Sequence, residues 1–167
     1  METLTTPEEE TRYAELQNLA LDAARTGDWN TLGPMIEAGL PVNLKDHKGN
    51  TLLMLASYHG EAETVRGLIE AGARVDERNE RGQTPLGGVA FKGDTTIARL
   101  LVENGADLEA DNGGGMTPLL YASMFGRTET AEYLKQAGAN RNARSRWGFS
   151  TGVLSKVGAI IRKIRRS

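Results

Sequence analysis

The sequence predicts an all-α solenoid, in which short helix-turn-helix units stack side by side and hairpin-like connectors join them. Three observations predict it. Gly27, Gly60, Gly93 and Gly126 recur every 33 residues, in phase with Gly39, Gly72, Gly105 and Gly138 and with Gly49, Gly82, Gly115 and Gly148. Thr51, Thr84 and Thr117 share the period, as do Leu53, Leu86 and Leu119. The stretches between these glycines suit helices of about ten residues, which cannot bury their apolar faces alone; only stacking on neighbours yields a continuous core.

Along the chain each element has a local cause. Thr6-Pro7-Glu8-Glu9 reads as a capping-box start. The helix it opens carries Tyr13, Leu16, Leu19, Ala20 and Ala23 at helical spacing and is expected to shield the first unit, with residues 1–15 as its acidic start. Four units follow, at about 16–46, 47–79, 80–112 and 113–144, the first being the most degenerate. The third is the most complete. Thr84 supplies a helix N-cap and Pro85 the first helical position, where a missing N–H costs nothing. Gly93 can take the left-handed conformation that closes a helix. A second helix with Ile97, Ala98, Leu100 and Leu101 on its apolar face ends near Gly105, and Asp107–Gly115 is a polar connector.

Residues 145–167 read as a partial fifth unit. Gly148 keeps the phase, and the next helix carries Val153, Leu154, Val157, Ile160, Ile161 and Ile164. At helical spacing these fall within an arc of about 120°. Lys156, Arg162, Lys163, Arg165 and Arg166 lie opposite. A terminal unit must cover the end of the core, so an amphipathic cap is the expectation.

Gly82–Ala110 (GQTPLGGVAFKGDTTIARLLVENGADLEA) and Gly115–Ala143 (GMTPLLYASMFGRTETAEYLKQAGANRNA) resemble ankyrin repeats. Gly49–Glu77 resembles them too, with Leu52 in place of proline, and Thr26–Asn43 keeps a weaker likeness. The resemblance spans about residues 16–144 and extends to small bacterial single-domain members of the family. The family pattern has histidine after Thr-Pro-Leu, where this chain has Met54, Gly87 and Leu120. The resemblance implies a non-enzymatic module that binds proteins, as adaptor or inhibitor. Some small bacterial members assist or neutralise a neighbouring catalase or secreted toxin, so an accessory or immunity role is a further implication.

Composition narrows the chemistry. Lys plus Arg is 20 and Asp plus Glu is 22, a net charge of −2 that argues against a nucleic-acid partner. That average hides a gradient: −4 over residues 1–15, −6 over 16–140 and +8 over 141–167. Cysteine is absent, which removes disulfides, thiolate metal sites and a Cys nucleophile. His47 and His59, the two histidines, fall short of the three or four ligands zinc takes. Asn112-Gly113-Gly114-Gly115 lacks the Lys-Ser/Thr that completes a phosphate loop, and it occupies an inter-unit turn. The acidic pairs Glu61/Glu63 and Asp107/Glu109 sit at helix starts or in connectors. No catalytic, cofactor-binding or metal-ligating residue is nominated, and no cofactor is expected. An acidic start without an apolar run, and no apolar stretch of ~20 residues, make a cytoplasmic protein the expectation; a chain that is monomeric when free is a separate expectation. Peripheral attachment to a membrane through the basic amphipathic helix is a second expectation.

The resemblance also implies where a partner would bind: on the connector tips and on the exposed ends of the first helices, which line a concave face. Carried over by position, the tips offer His47, Lys48 and Asn50, then Glu80, Arg81 and Gln83, then Gly113, Gly114 and Met116, then Arg146, Trp147 and Phe149. The helix ends offer Tyr58 and His59, Phe91 and Lys92, and Met124 and Phe125. Five of the nine aromatic residues, including every phenylalanine, fall in this set. Aromatic side chains are enriched at interfaces and often carry most of the binding energy. Packing between neighbouring first helices is the competing reading for Phe91 and Phe125, and Tyr121, Tyr133 and Trp29 are assigned to packing or capping. Gly87-Gly88 inside a first helix has two readings, close approach of neighbouring units or a clearing for a partner side chain.

Overall fold

The computed structural model describes residues 6–165. Among these, nine helices form two rows. In the first, α1 (Pro7–Thr26), α3 (Leu52–His59), α5 (Pro85–Lys92), α7 (Pro118–Met124) and α9 (Thr151–Arg165) pack each against the next. In the second, α2 (Trp29–Glu37), α4 (Ala62–Glu70), α6 (Thr95–Glu103) and α8 (Thr128–Gln136) do the same. Arg166 lies outside the described residues.

The periodic residues do the local work expected of them. The hydroxyls of Thr51, Thr84 and Thr117 accept hydrogen bonds from the N–H groups of Met54, Gly87 and Leu120, capping α3, α5 and α7. Gly60 closes α3 at φ 83°, a conformation that L side chains rarely adopt. Leu53, Leu86 and Leu119 form a fully buried ladder between the rows, joined by Val65, Leu68, Ile97, Leu101 and Leu134. Trp29 in α2 packs over Gly33 and Gly67; a Cβ at Gly67 would collide with its ring, and one at Gly33 would crowd it at 3.2 Å.

Polar side chains tie the connectors together. Asp46 accepts from the N–H groups of Lys48 and Asn50, both at 2.9 Å, and Asn79 from those of Arg81 and Gln83, both at 3.0 Å. Asn43, Asp76 and Glu109 each accept from the N–H of the residue 31 positions on, namely Arg74, Asp107 and Asn140. Asp76 and Glu109 are therefore occupied in joining one unit to the next.

The end helices depart from expectation. Residues 15 and 16 lie within one continuous helix, because α1 runs unbroken from Pro7 to Thr26. Only Ala20, Leu21, Ala23 and Ala24 of α1 are buried. Tyr13, Leu16 and Leu19 are 50, 44 and 49% exposed, because α3, with eight residues, covers only the last turns of a helix of twenty. At the other end, α9 docks through Leu154, Gly158 and the half-buried Ile161. Val153, Val157, Ile160 and Ile164 stay 48, 41, 61 and 70% exposed. The reason is a backbone contact: a Cβ at Gly158 would collide with the Ser123 carbonyl and the Gly126 N–H. That approach rotates the helix toward its small residue rather than toward the centre of its apolar arc.

Candidate functional site

An open notch of about 470 Å³ lies across α3, α5 and α7 and reaches up to the connector tips. Its floor is Gly87-Gly88 with Thr84 and Pro85, and its walls are Met54, Leu55, Tyr58, Phe91, Tyr121 and Phe125. Asn50, Asn79, Arg81 and Gln83 form its polar rim. Phe91 meets Phe125 edge-on at 4.5 Å between ring centroids, and Phe125 stacks beside Tyr121 at 6.4 Å. All three residues are half-buried and line the open volume.

The two floor glycines play different parts. A Cβ at Gly87 would strike the side chain of Asn112, which is buried and accepts hydrogen bonds at its Oδ1 from Thr84 N–H (2.7 Å) and Thr84 hydroxyl (3.0 Å). Its amide nitrogen donates to the Ala110 carbonyl at 2.8 Å. Gly87 thus makes room for an amide from the next connector. A Cβ at Gly88 would touch only the Tyr58 ring, at 3.6 Å, and would otherwise stand in the notch. Close approach explains Gly87, and the clearing is at Gly88.

Of the sequence-derived candidates, the structure brings Asn50, Tyr58, Arg81, Gln83, Phe91 and Phe125 together around this notch. Lys48 and Glu80 join the same rim residues in an adjoining cleft of about 280 Å³ between the tips. Lys92 places its ammonium over the Tyr58 ring at 4.9 Å, and His59 meets that ring edge-on at 5.8 Å, so both sit at the margin. His47 is exposed on its tip. Arg146, Trp147 and Phe149 are exposed on the last tip but line neither the notch nor the cleft. Gly114 is the seat of the Trp147 ring, which fills the space a Cβ would need.

Met116 is a correction. It is only 6% exposed and packs with Leu120, Ala143 and Leu154 beneath the tip, so its side chain cannot meet a partner. Met124 is half-buried against the same cluster. Sequence reasoning also missed Tyr121, which lines the notch and donates through its hydroxyl to the Asn112 carbonyl at 3.4 Å. It lies three residues before Met124, on the same side of α7, and that spacing could have flagged it.

Electrostatics stiffen the rim. Partial burial pushes the Asp46 carboxyl up, but hydrogen bonds from the Asn50 side chain and backbone and from the Lys48 backbone outweigh it and hold the group below the usual carboxylate range. Asn79 bridges outward from its own turn, donating to Asn50 Oδ1 at 2.9 Å and to Gln83 Oε1 at 3.1 Å. The rim is therefore ordered before any ligand arrives.

Two rows of short helices in 33-residue register, with a notch cut across one row, define a helical-repeat protein with an open surface cleft. The family model described as "Ankyrin repeats (3 copies)" matches residues 20–112 and again 53–145. The chain belongs to the ankyrin-repeat family, whose repeats generally mediate protein–protein interaction and are typically non-enzymatic. A Pseudomonas aeruginosa protein named for its ankyrin repeats, PA3287, is 46% identical over 54 residues. That match spans 32% of this chain and 32% of the Pseudomonas protein. Among the described residues no helix is long and apolar enough to cross a membrane.

Proposed function

We propose that this chain is a non-enzymatic adaptor or inhibitor that holds a segment of a partner protein across α3, α5 and α7. An apolar side chain of the partner would enter the clearing over Gly88, between Tyr58, Phe91 and Phe125. The amides of Asn50 and Gln83, which keep unused hydrogen-bonding capacity, would meet polar groups of the same segment, and Lys48, Glu80 and Arg81 would set its charge preference. The single observation that carries this reading is the open space over Gly88, lined by Tyr58, Phe91, Tyr121 and Phe125. Because the hydrogen-bonded tips hold their shape, little ordering entropy is lost on binding.

The test begins with affinity purification from the native host, followed by Kd measurements on the recovered partner. Phe125→Ala is expected to weaken binding by about 2 kcal/mol, or about 30-fold. Arg66→Ala, at an exposed position of α4 in the other row, should leave affinity within about twofold of wild type. Equal affinities for all three proteins would defeat the assignment.

A further inference from the structure

The two ends of the stack carry exposed apolar ridges of opposite charge, and neither belongs to the notch. On α1, exposed Tyr13, Leu16 and Leu19 are accompanied by Glu8, Glu9, Glu10 and Glu15 against one cation, Arg12. On α9, Val153, Val157, Ile160 and Ile164 form a stripe that helical geometry confines to about 60°. Next to that stripe the last tip exposes Trp147 at 68% and Phe149 at 48%. Residues 141–165 hold seven cations and no acid.

We propose that these ends dock on each other in different copies, with α1 of one chain seated on α9 and the last tip of the next. The repeat supplies the geometry. First-row helices lie side by side in a common direction, in 33-residue register, so the vacant place beside α9 is shaped for another first-row helix. An α1 seated there in register sets Leu19 level with Thr151, at the start of the α9 stripe. Its acidic first turns then run out beside Arg141, Arg144 and Arg146, where Trp147 and Phe149 offer apolar surface to Tyr13 and Leu16. The contact is heterologous, so it leaves one competent end on each partner and can propagate. An anionic bilayer would satisfy the cations of α9 yet leave the acidic ridge of α1 uncovered; a second copy covers both. In a monomer both end helices would leave these apolar residues in water. Nothing here depends on the notch.

Sedimentation velocity of the full chain over a concentration series tests the docking. Average mass should rise with concentration, and association should weaken several-fold between about 0.1 and 1 M salt, where the Debye length falls from about 10 to 3 Å. Leu16→Lys/Leu19→Lys spoils the α1 end and Val157→Glu/Ile160→Glu the α9 end, all at exposed positions. Each double variant should be monomeric with unchanged circular dichroism, and an equimolar mixture should form a dimer that grows no further. Monomeric wild type at every concentration overturns the proposal. So does persistent association of the α1-end variant, which would mean an α9–α9 contact, or a mixture that stays monomeric. Wild type that stays monomeric while cosedimenting with phosphatidylserine-containing vesicles assigns the stripe to lipid and overturns it as well.

Discussion

Gly87 and Gly88 are neighbours with opposite structural duties. Gly87→Ala is expected to destabilise the protein by about 1–3 kcal/mol, since its methyl group would displace the buried Asn112 amide. Gly88→Ala should stabilise it by about 0.5–1 kcal/mol, because the methyl meets ordinary contact and the helix gains a better former. Urea denaturation of the two single variants checks both signs. The pair stood out in the sequence as a cost inside a helix. Which glycine did what was hidden, because the answer depends on Asn112, a residue of the following connector. Asp46 makes a second residue-scale prediction. Its folded pKa lies below the unfolded value, so its stabilising effect is present above the unfolded pKa of about 3.9 and is lost as pH falls through the folded one. Asp46→Asn keeps the turn geometry, as Asn79 shows in the next unit, but removes that titration. Melting temperature should therefore fall less steeply below about pH 4 in Asp46→Asn than in wild type.

At the scale of elements, the caps taught the most. Helical spacing located α1 and α9 correctly, with Thr6 and Glu9 forming the capping box that starts α1. It gave the contact faces only in part, with Ala20, Ala23 and Leu154 buried and the rest of each arc exposed, because an apolar arc states what could be buried and not what a neighbour covers. In α1 the neighbour is too short. In α9 the contact is set by Gly158 against Gly126, and Arg162 then reaches the Gly126 carbonyl at 3.1 Å and the Thr128 hydroxyl at 2.6 Å. Gly158→Ala should push α9 off α7, lower stability by about 1–3 kcal/mol and raise hydrogen exchange across residues 151–165. Unchanged exchange there would show that the close approach does not hold the helix.

At the scale of the whole molecule, the stack was legible because its signal repeats. Three glycine series, a threonine series and a leucine series each report the same period, so one degenerate unit cannot hide it. The notch was legible in part. Position alone singled out Tyr58, Phe91 and Phe125, which do line the notch, but it set Met116 on the surface and left Tyr121 to packing, since a tip's sequence does not reveal which of its side chains turns inward. What unites the surface is the open volume over Gly88, and that makes Gly88→Leu its most direct probe. A leucine there starts from a Cβ in ordinary contact with the Tyr58 ring at 3.6 Å and extends into the clearing. Titration of the purified partner should show Kd weakened by at least about 30-fold, about 2 kcal/mol, with no fall in melting temperature. An unchanged Kd in a folded Gly88→Leu protein would contradict the account.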